Sequence, residues 1–474
     1  MKPTVLLPKF VLTAGLFFFS LSASATHWMG ADITYQCISN CIYRVKVSLY
    51  YDCTSTLTPK PVGAPGTTPP VAPTINMTGI PNFPGQACNT PTTVGAWTFV
   101  SYTEVTPVCP TTQTNCTNTA SPLRGVAELT YYRDYDFCNT NCDIYSISWT
   151  SCCRNNAITT LNTPGSLNLY TGSTTINTAI SPCNSSPQFA NPPVPYLCAG
   201  QTYTFNQGAF DPDGDSLVYS LGPCFTGANN PVTYTSGASP TQPLGTGWNT
   251  TINSLTGDIT VTPAPNGPTV VAVMCVYVEE YRNGVKIGEV VRDIQMTVID
   301  CALFGGITNI PPTITNLTNL SPGATANGLT VTTCACEEIC FDIPSFDPDQ
   351  GQNYIMFWDA GLPGTFADAA NPLVPVDTVF SPAPGITPTG QFCWVPTVTG
   401  IHQFRVTIQD DGCPLLGQNQ YTIVLNVTSC SLDPYVSTTV VGCYDVQFEG
   451  IPCGGAPPFT YSWAGGGGLS GSSS

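Results

Sequence analysis

A long internal repeat constrains the fold of this chain more than any other feature. The sequence Phe-Asp-Pro-Asp occurs at residues 210–213 and again at 346–349, an offset of 136 residues. Two further landmarks repeat in the same order, Thr-Gly at 256–257 and 389–390, and the cysteines Cys301 and Cys430. A period this long is typical of an array of whole domains rather than a solenoid, whose repeats are shorter. We therefore predict two consecutive domains, at 184–301 and 302–430.

The residue pattern predicts an all-β protein. No stretch keeps a helical period, and short runs rich in Thr, Val, Ile and Tyr alternate with clusters of Gly, Pro, Asn and Ser. With 45 prolines and 43 glycines, the strands must be short and the loops long. In the first of the clear candidate strands Arg44 and Lys46 alternate with apolar residues and should face solvent. These candidate strands are 42–50, 125–132 and 144–150, whereas residues 54–94 are expected to form long loops.

The start of the chain has the features of a secretory leader. Lys2 and Lys9 precede an apolar run at 10–19, and Ala-Ser-Ala at 23–25 offers a cleavage site, so the mature chain should begin at Thr26. The run is too short for a permanent anchor, and no later segment reaches 18 apolar residues. We expect a secreted, cell-surface-associated protein with no transmembrane segment beyond the leader.

The 23 cysteines of an exported chain are expected to form disulfides. Cys334, Cys336 and Cys340 could instead form a zinc cluster, but no histidine lies nearby and the compartment is oxidising. Because the total is odd, at least one thiol lacks an intrachain partner. Cys152 and Cys153 are not expected to bond each other, because neighbours on a strand point to opposite faces.

Composition excludes several classes of function. The net charge is −17, with only 12 Lys and Arg against 29 Asp and Glu, so nucleic acids and anionic membranes are not expected partners. The only histidines are His27 and His402, too few for most acid–base chemistry, and His402 lies in an expected surface strand. An amino-terminal copper site at His27 would need His402, some 375 residues away. Adjacent acids such as Glu279 and Glu280 should face opposite ways on a strand rather than across a cleft. We expect no enzyme.

Several motifs together carry a resemblance to a known family. The first repeat, with Asn-x-x-Pro-x-Phe at 184–189 and Asp-Pro-Asp-Gly-Asp at 211–215, resembles a bacterial cadherin-like repeat. The wider chain is similar to the amino-terminal region of gliding-motility-associated cell-surface proteins, through Thr-His-Trp-Met-Gly at 26–30, Tyr-Asp-Cys at 51–53, Cys-Cys-Arg-Asn-Asn at 152–156 and Glu-Tyr-Arg-Asn-Gly at 280–284. Residues 457–463 resemble the opening of an immunoglobulin-like domain of the polycystic-kidney-disease type, which we expect to continue beyond Ser474.

The resemblance implies tandem immunoglobulin- or cadherin-like β-sandwiches preceded by a Cys-rich β domain. It also implies further immunoglobulin-like domains and a sorting domain for the type nine secretion system. The predicted divisions are a leader at 1–25, a Cys-rich N-terminal β domain at 26–183, sandwiches at 184–301 and 302–430, and the start of a further domain at 431–474.

Closely spaced acids in each repeat predict calcium sites. Asp211, Asp213 and Asp215 stand two residues apart around Gly214, so an extended chain or a tight bend would gather their carboxylates, and calcium prefers such oxygens. The predicted metal ligands are Asp211, Asp213, Asp215, Asn184, Asp347 and Asp349, the last two forming a weaker second site. The alternative is that Asp-Pro-Asp-Gly is only a favourable turn. Asp410 and Asp411 could add an acid to the second site or form a hairpin turn.

The function expected from these features is that of an adhesin-like surface protein. Disulfides and calcium would hold tandem sandwiches as a semi-rigid rod that presents loops to a cell-surface protein or glycan, with a possible link to gliding motility. The first alternative is a secreted protein that binds or degrades polysaccharide, using Trp248 or Trp358. Trp394 alternates with Phe392 and should be buried with it. The second alternative is a self-assembling surface-layer component.

Overall fold

The strands confirm the predicted all-β fold class. The computed structural model describes residues 28–53, 72–118, 120–121, 123–138, 140–193, 196–263, 268–301, 309–349, 351–358, 364–413, 415–429, 435–440, 446–451, 461–464 and 470–473. These residues contain 32 strands, a 3-10 turn at Pro164–Ser166 and no α-helix. Among them no helix is long and apolar enough to cross a membrane. The predicted leader lies outside the described residues.

The first seven strands enclose the N-terminal core. One layer has the order β4–β5–β2–β1 and the other β3–β6–β7. On β2 the side chains of Tyr43, Val45 and Val47 are buried in this core, whereas Arg44 and Lys46 lie on the opposite face, as the alternation predicted. The strands are β1 (Trp28–Ser39), β2 (Ile42–Asp52), β3 (Ile75–Ile80), β4 (Thr92–Glu104), β5 (Val126–Asp136), β6 (Ile144–Ser151) and β7 (Leu169–Asn177).

The expectation of loops throughout 54–94 was wrong in part. Residues 54–71 lie outside the described part of the chain, but Ile75–Ile80 form β3, which pairs along its whole length with β6. β4 also begins within the segment, at Thr92. The composition of the segment favours loops, but tertiary pairing with β6 gives the backbone of β3 its hydrogen-bond partners and overrides that preference.

The next eleven strands form the first sandwich. A sheet of order β10–β16–β15 covers strands β12, β17, β18 and β9 of the large sheet, and their facing side chains form one core. The strands are β8 (Gln188–Phe189), β9 (Tyr196–Cys198), β10 (Tyr203–Asn206), β11 (Ala209–Phe210), β12 (Ser216–Gly222), β13 (Phe225–Gly227), β14 (Asn230–Pro231), β15 (Trp248–Ile252), β16 (Asp258–Pro263), β17 (Val270–Arg282) and β18 (Val285–Ile299).

One strand, β18, belongs to both of these parts. It pairs with β17 of the first sandwich over its whole length, with β1 at Gly30↔Ile294, and with β7 at Glu289↔Thr175. The sheet therefore runs without a break across the predicted boundary between residues 183 and 184. The division into domains stays a prediction, while the structure shows that the two segments share a sheet.

The second sandwich has two sheets around its own core. Their orders are β19–β22–β26–β24 and β20–β21–β28–β27–β23–β25. The strands are β19 (Thr313–Ile314), β20 (Thr325–Asn327), β21 (Thr330–Cys334), β22 (Ile339–Phe346), β23 (Tyr354–Trp358), β24 (Thr365–Asp368), β25 (Thr378–Phe380), β26 (Thr389–Trp394), β27 (Gly400–Asp410) and β28 (Gln418–Thr428). Two hairpins follow, made by β29 (Tyr435–Val440) with β30 (Val446–Ile451) and β31 (Tyr461–Ala464) with β32 (Ser470–Ser473).

Polar side chains join the two sandwiches. Asp258 on β16 accepts hydrogen bonds from the hydroxyl and the N–H of Thr422 on β28, at 2.8 and 3.1 Å. Asn206 and Gln420 are bonded across the same contact. A further link joins the second sandwich to the N-terminal part, because Cys109, from the loop between β4 and β5, is disulfide-bonded to Cys413.

The prediction of a disulfide-rich chain is confirmed. Cys334, Cys336 and Cys340 are all disulfide-bonded, so they form no thiolate zinc cluster. Cys152 and Cys153 do bond each other, contrary to expectation, because they lie beyond the end of β6, where the alternation of a strand no longer applies. The described pairs are Cys37–Cys183, Cys41–Cys138, Cys53–Cys116, Cys88–Cys142, Cys109–Cys413, Cys152–Cys153, Cys198–Cys301, Cys224–Cys275 and Cys340–Cys393.

Candidate metal site

The loop between β11 and β12 brings the three predicted aspartates of the first repeat together. Oδ1 of Asp211 accepts hydrogen bonds from the N–H groups of Asp213, at 2.8 Å, and Asp215, at 3.0 Å. Gly214, at φ 82°, adopts the left-handed conformation that closes the bend at little steric cost. One carboxylate oxygen from each aspartate then lies within 4.8 Å of the others. The chain therefore follows the tight-bend alternative, with the acids converging.

The segment before β8 packs against this loop. The N–H of Ser185 donates to Oδ2 of Asp213 at 2.6 Å. The amide nitrogen of Asn184, a predicted ligand, donates to Oε1 of Glu280 at 2.6 Å, and its amide oxygen accepts from Arg282 at 2.8 Å. Asn184 thus lies at the cluster and connects it to the end of β17.

Glu280 is a site residue that the sequence analysis missed. Its side chain is fully buried, no N–H or hydroxyl group donates to Oε2, and its carboxyl group lies within hydrogen-bond reach of Asp215. Glu279, its neighbour on β17, points the other way and pairs with Lys286, as strand alternation requires. Opposite Glu280 in the β17–β18 register lies Gly288, where a Cβ atom would come within 2.5 Å of Oε2. A glycine there leaves room for the carboxylate.

The cluster contains more carboxyl groups than cationic groups to neutralise them. Burial raises the pKa of Asp211 to about 6. Burial, with the negative charges of Asp211 and Asp215, raises the pKa of Glu280 to about 9. The one cation that contacts the cluster among the described residues is Arg282, whose Nε donates to Oδ1 of Asp215 at 2.7 Å. Four carboxyl groups, including that of Asp213, thus face a single guanidinium, and neutralising the remainder stabilises the ionised forms.

The free oxygens fit a calcium ion. Oδ2 of Asp211 and Oε2 of Glu280 are buried without partners, and a hard cation that takes six to eight oxygens would use such atoms. Asp213 adds a third carboxylate. Asp215 and the amide oxygen of Asn184 are both bonded to Arg282, so the guanidinium competes with an ion for their oxygens.

The second repeat contains the same arrangement. Oδ1 of Asp347 accepts from the N–H of Asp349 at 2.7 Å, and Oδ2 of Asp349 accepts from the N–H of Ile310 at 2.7 Å. The amide nitrogen of Asn309 donates to Oδ1 of Asp410 at 2.8 Å. Asn309 and Asp410 therefore take the places that Asn184 and Glu280 have in the first site.

Asp410 is the buried acid of the second site. Its Oδ2 and that of Asp347 have no hydrogen-bond partner. Burial raises the pKa of Asp410 to about 7 and that of Asp347 to about 6. Gly417 lies against Asp410, and its Cβ would clash with Oδ2, as at Gly288 in the first site. Asp411 points away and bonds the amide of Asn353.

Two other groupings of Cys and Asp lack free thiolates. Cys41 and Cys138 lie near Asp136, and Cys224 and Cys275 lie near Asp293, but both cysteine pairs are disulfides. Their sulfur atoms are therefore not thiolate ligands.

The tryptophans named as sugar platforms pack in the interior. Trp248 is 7% exposed, and its indole N–H donates to the carbonyl of Pro268. Trp358 contacts the rings of Phe366, Phe392 and Phe404. The burial predicted for Trp394 and Phe392 is confirmed.

A comparison of the chain with protein-family models finds no match, and a comparison with curated proteins finds none.

Proposed function

We propose that this chain is part of an exported, cell-surface adhesin-like scaffold that calcium ions stiffen. One observation carries the proposal: the fully buried Glu280 has a partnerless Oε2 beside Asp211, whose Oδ2 is also partnerless. Without an ion, burial keeps Glu280 protonated, since its pKa is raised to about 9, whereas a bound divalent cation would stabilise both carboxyl groups in the ionised form. The same chemistry recurs at Asp347 and Asp410.

An ion at either site would cross-link segments that are distant in the sequence. The first site joins residues 184–185, the loop at 211–215 and the end of β17. The second joins 309–310, the loop at 347–349 and the end of β27. Both Asn184 and Asn309 lie just before a sandwich, so calcium would fix how each sandwich is joined to the preceding chain. Stiffening without catalysis is the role that this arrangement supports.

The compartment and partner belong to the same proposal. The leader-like start, the disulfides and the resemblance to gliding-motility-associated surface proteins support export to the cell surface. The partner would be a cell-surface protein or a glycan. No enzymatic activity and no nucleic-acid binding are proposed, since the chain carries a net charge of −17 and its acids face each other in closed clusters.

The test is a calcium titration by isothermal calorimetry with thermal melts in chelator and in millimolar calcium. We expect two bound ions and a higher Tm with calcium, because a ligand that binds only the folded state stabilises it by mass action. Asp213→Ala and Glu280→Gln should each remove the first binding event. Glu337→Gln, which changes an exposed acid outside both sites, is the matched control. An identical melt with chelator and with calcium would contradict the proposal.

A further inference from the structure

A cleft of about 600 Å³ lies on the polar face of the layer β4–β5–β2–β1, opposite the N-terminal core. The segment at 188–192 and the side chain of Arg292 form one wall. None of the residues proposed above as calcium ligands lines it. The volume is within the range of pockets that hold small organic ligands, so the lining decides what kind of ligand the cleft suits.

The floor of the cleft carries hydroxyl side chains that bond no other described residue and whose oxygens stay accessible from the cleft. Ser48 and Thr130 are opposite each other in the β2–β5 register and are 1% and 6% exposed. Ser101 lies next to Thr130 on β4. A hydroxyl both donates and accepts, and buried polar groups in native proteins are nearly always bonded. These hydroxyls are therefore open to water or to a ligand that enters the cleft.

The two arginines in the cleft are paired with acids, whereas Lys46 and Glu128 form no ion pair among the described residues. Arg292 is bonded to Asp32 at 2.9 Å, and Arg44 to Asp134 at 2.8 Å. Lys46 lines the cleft, and within the described part of the chain its ammonium has no hydrogen bond or ion pair. A half-buried cation in so acidic a chain attracts an anionic group of a ligand.

An acid lies further along the same floor. Glu128 is two residues beyond Thr130 towards the start of β5, so it shares their face, and its Oε1 accepts from the hydroxyl of Tyr50 at 3.3 Å. A carboxylate beside free hydroxyls is a strong acceptor for the hydroxyl groups of a ligand. From Lys46 to Glu128, the floor thus offers a cation, then hydroxyls, then an acceptor.

The backbone at the centre of the floor is not available to a peptide. β2 and β5 are paired on both sides with neighbouring strands, so their N–H and C=O groups are used in the sheet, whereas β4 is the edge strand of this layer. A peptide strand cannot add to the middle of a sheet. Hydroxyl, amide and carboxylate side chains on a flat floor suit a ligand rich in hydroxyls instead.

We propose that this cleft binds an acidic saccharide, with a carboxylate of the sugar against Lys46 and its ring hydroxyls against Ser48, Thr130 and Glu128. The site is separate from the acidic clusters, so it does not depend on the calcium proposal. It gives the scaffold a ligand class, a uronic-acid-bearing glycan, which is recognised by side chains on the sheet face rather than by loops.

The test uses the full chain and short oligosaccharides of galacturonic, glucuronic and mannuronic acid, each beside its carboxyl-reduced neutral counterpart. Binding is measured by calorimetry in chelator and again in calcium. We expect acidic ligands to bind about tenfold more tightly than neutral ones, which corresponds to about 1.4 kcal/mol. Lys46→Met should abolish that preference, and Thr130→Val should weaken acidic and neutral ligands alike.

Lys286→Met is the matched control, because Lys286 is an exposed lysine that pairs with Glu279 and Glu289 outside the cleft. It should bind as the unaltered chain does. The proposal is overturned if none of the oligosaccharides binds, if acidic and neutral forms bind equally, or if Lys46→Met keeps the preference. Binding that persists in chelator supports the cleft even if calcium has no effect on the melt, so the two proposals fail separately.

Discussion

Two buried ion pairs lie on neighbouring residues of β18. Arg292 is bonded to Asp32 of β1, and Asp293 accepts from Arg154 at 3.0 and 2.5 Å. Consecutive residues of a strand point to opposite faces, so β18 carries one charge into each layer that it joins. All four side chains are almost fully buried. Each pair favours one position of β18 relative to its partner segment, because a shift of the strand would leave two buried charges unpaired.

Removing one side chain of such a pair should lower the free energy of unfolding far more than removing both. We expect Arg154→Met to lower the free energy of unfolding by about 3–5 kcal/mol, because Asp293 is left as a buried, unpaired charge. The double change with Asp293→Leu should recover most of that loss. Urea unfolding followed by fluorescence measures both. Arg44→Met, at a pair that is partly exposed, is the control and should cost about 0–1 kcal/mol. A double variant as unstable as Arg154→Met would contradict the argument.

The buried acid of the first site makes stability depend on pH when calcium is absent. The pKa of Glu280 is about 9 in the folded chain against an ordinary value of 4.5, so between these values the folded state holds a proton that the unfolded state has released. The free energy of unfolding should therefore fall as pH rises from about 5 to 9, by up to about 1.4 kcal/mol per pH unit.

Urea unfolding in chelator at a series of pH values checks whether the free energy of unfolding falls as pH rises. Glu280→Gln removes the titrating carboxyl group and should flatten the profile between about pH 7 and 9, above the raised pKa values of Asp211, Asp347 and Asp410, while Glu337→Gln should leave it unchanged. Calcium should also reduce the slope, because the ion takes the place of the proton. Stability that rises with pH in the chelated, unaltered chain is the opposite result.

Residues that are close in the sequence were the predictable part of the site. Asp211, Asp213 and Asp215 converge through bonds within one turn, so their spacing was enough to propose them. Glu280 lies 65 residues beyond Asp215 and Asn309 lies 38 residues before Asp347, and only the pairing of strands brings each to its cluster. Asn309 begins an Asn-x-x-Pro stretch like that of Asn184, so a comparison of the two repeats could have found it, whereas no local pattern distinguishes Glu280 from the other acids of the chain.

At the scale of elements, β18 explains why the domain division was hard to infer. From Ile287 onwards its residues form a run buried on both faces, which is typical of a strand inside a sheet. The repeat predicted the closing strands near Cys301 and Cys430, and strands do end there, at Ile299 and Thr428. The pairing of β18 with β1 joins residues more than 250 positions apart, and no repeat or composition change marks it.

The β17–β18 hairpin supplies an element-scale prediction at Gly288. An added Cβ would lie 2.5 Å from Oε2 of Glu280, so Gly288→Ala should displace the carboxylate and weaken calcium binding at the first site by about tenfold. Gly227→Ala is the control, because the nearest atom to its Cβ is 3.9 Å away. Calorimetric calcium titrations of both variants give the answer. An unchanged affinity in Gly288→Ala, with binding still lost in Glu280→Gln, would contradict the steric account.

At the scale of the whole molecule, the N-terminal part reaches the second sandwich through one loop. Cys109 is bonded to Cys413, Val108 pairs with Leu415, and the N–H of Leu416 donates to the carbonyl of Pro107 at 3.2 Å. The sequence predicted tandem sandwiches but not this contact, because the two cysteines are 304 residues apart and cysteine spacing alone does not fix pairing.

The backbone around Cys413, which this disulfide attaches to the N-terminal part, also holds the buried acid of the second site. The N–H groups of Gly412 and Gly417 both donate to Oδ1 of Asp410, at 2.9 and 2.8 Å, and Leu415 accepts from Asn309. The disulfide at Cys413 therefore restrains the backbone that positions Asp410. Its loss frees that loop and adds an entropic cost to ordering it when an ion binds.

Removing the Cys109–Cys413 disulfide should thus weaken calcium binding at the second site alone. We expect Cys109→Ser combined with Cys413→Ser to reduce that affinity several-fold, or by about 1 kcal/mol, while the first site keeps its own. Calorimetry on a Glu280→Gln background isolates the second site, and the same titration on an Asp347→Asn background isolates the first. The matched control is Cys88→Ser with Cys142→Ser, which opens a disulfide of the N-terminal part outside both sites. Equal weakening of both sites would show that the Cys109–Cys413 disulfide acts on the molecule as a whole, and not through the loop that carries Asp410.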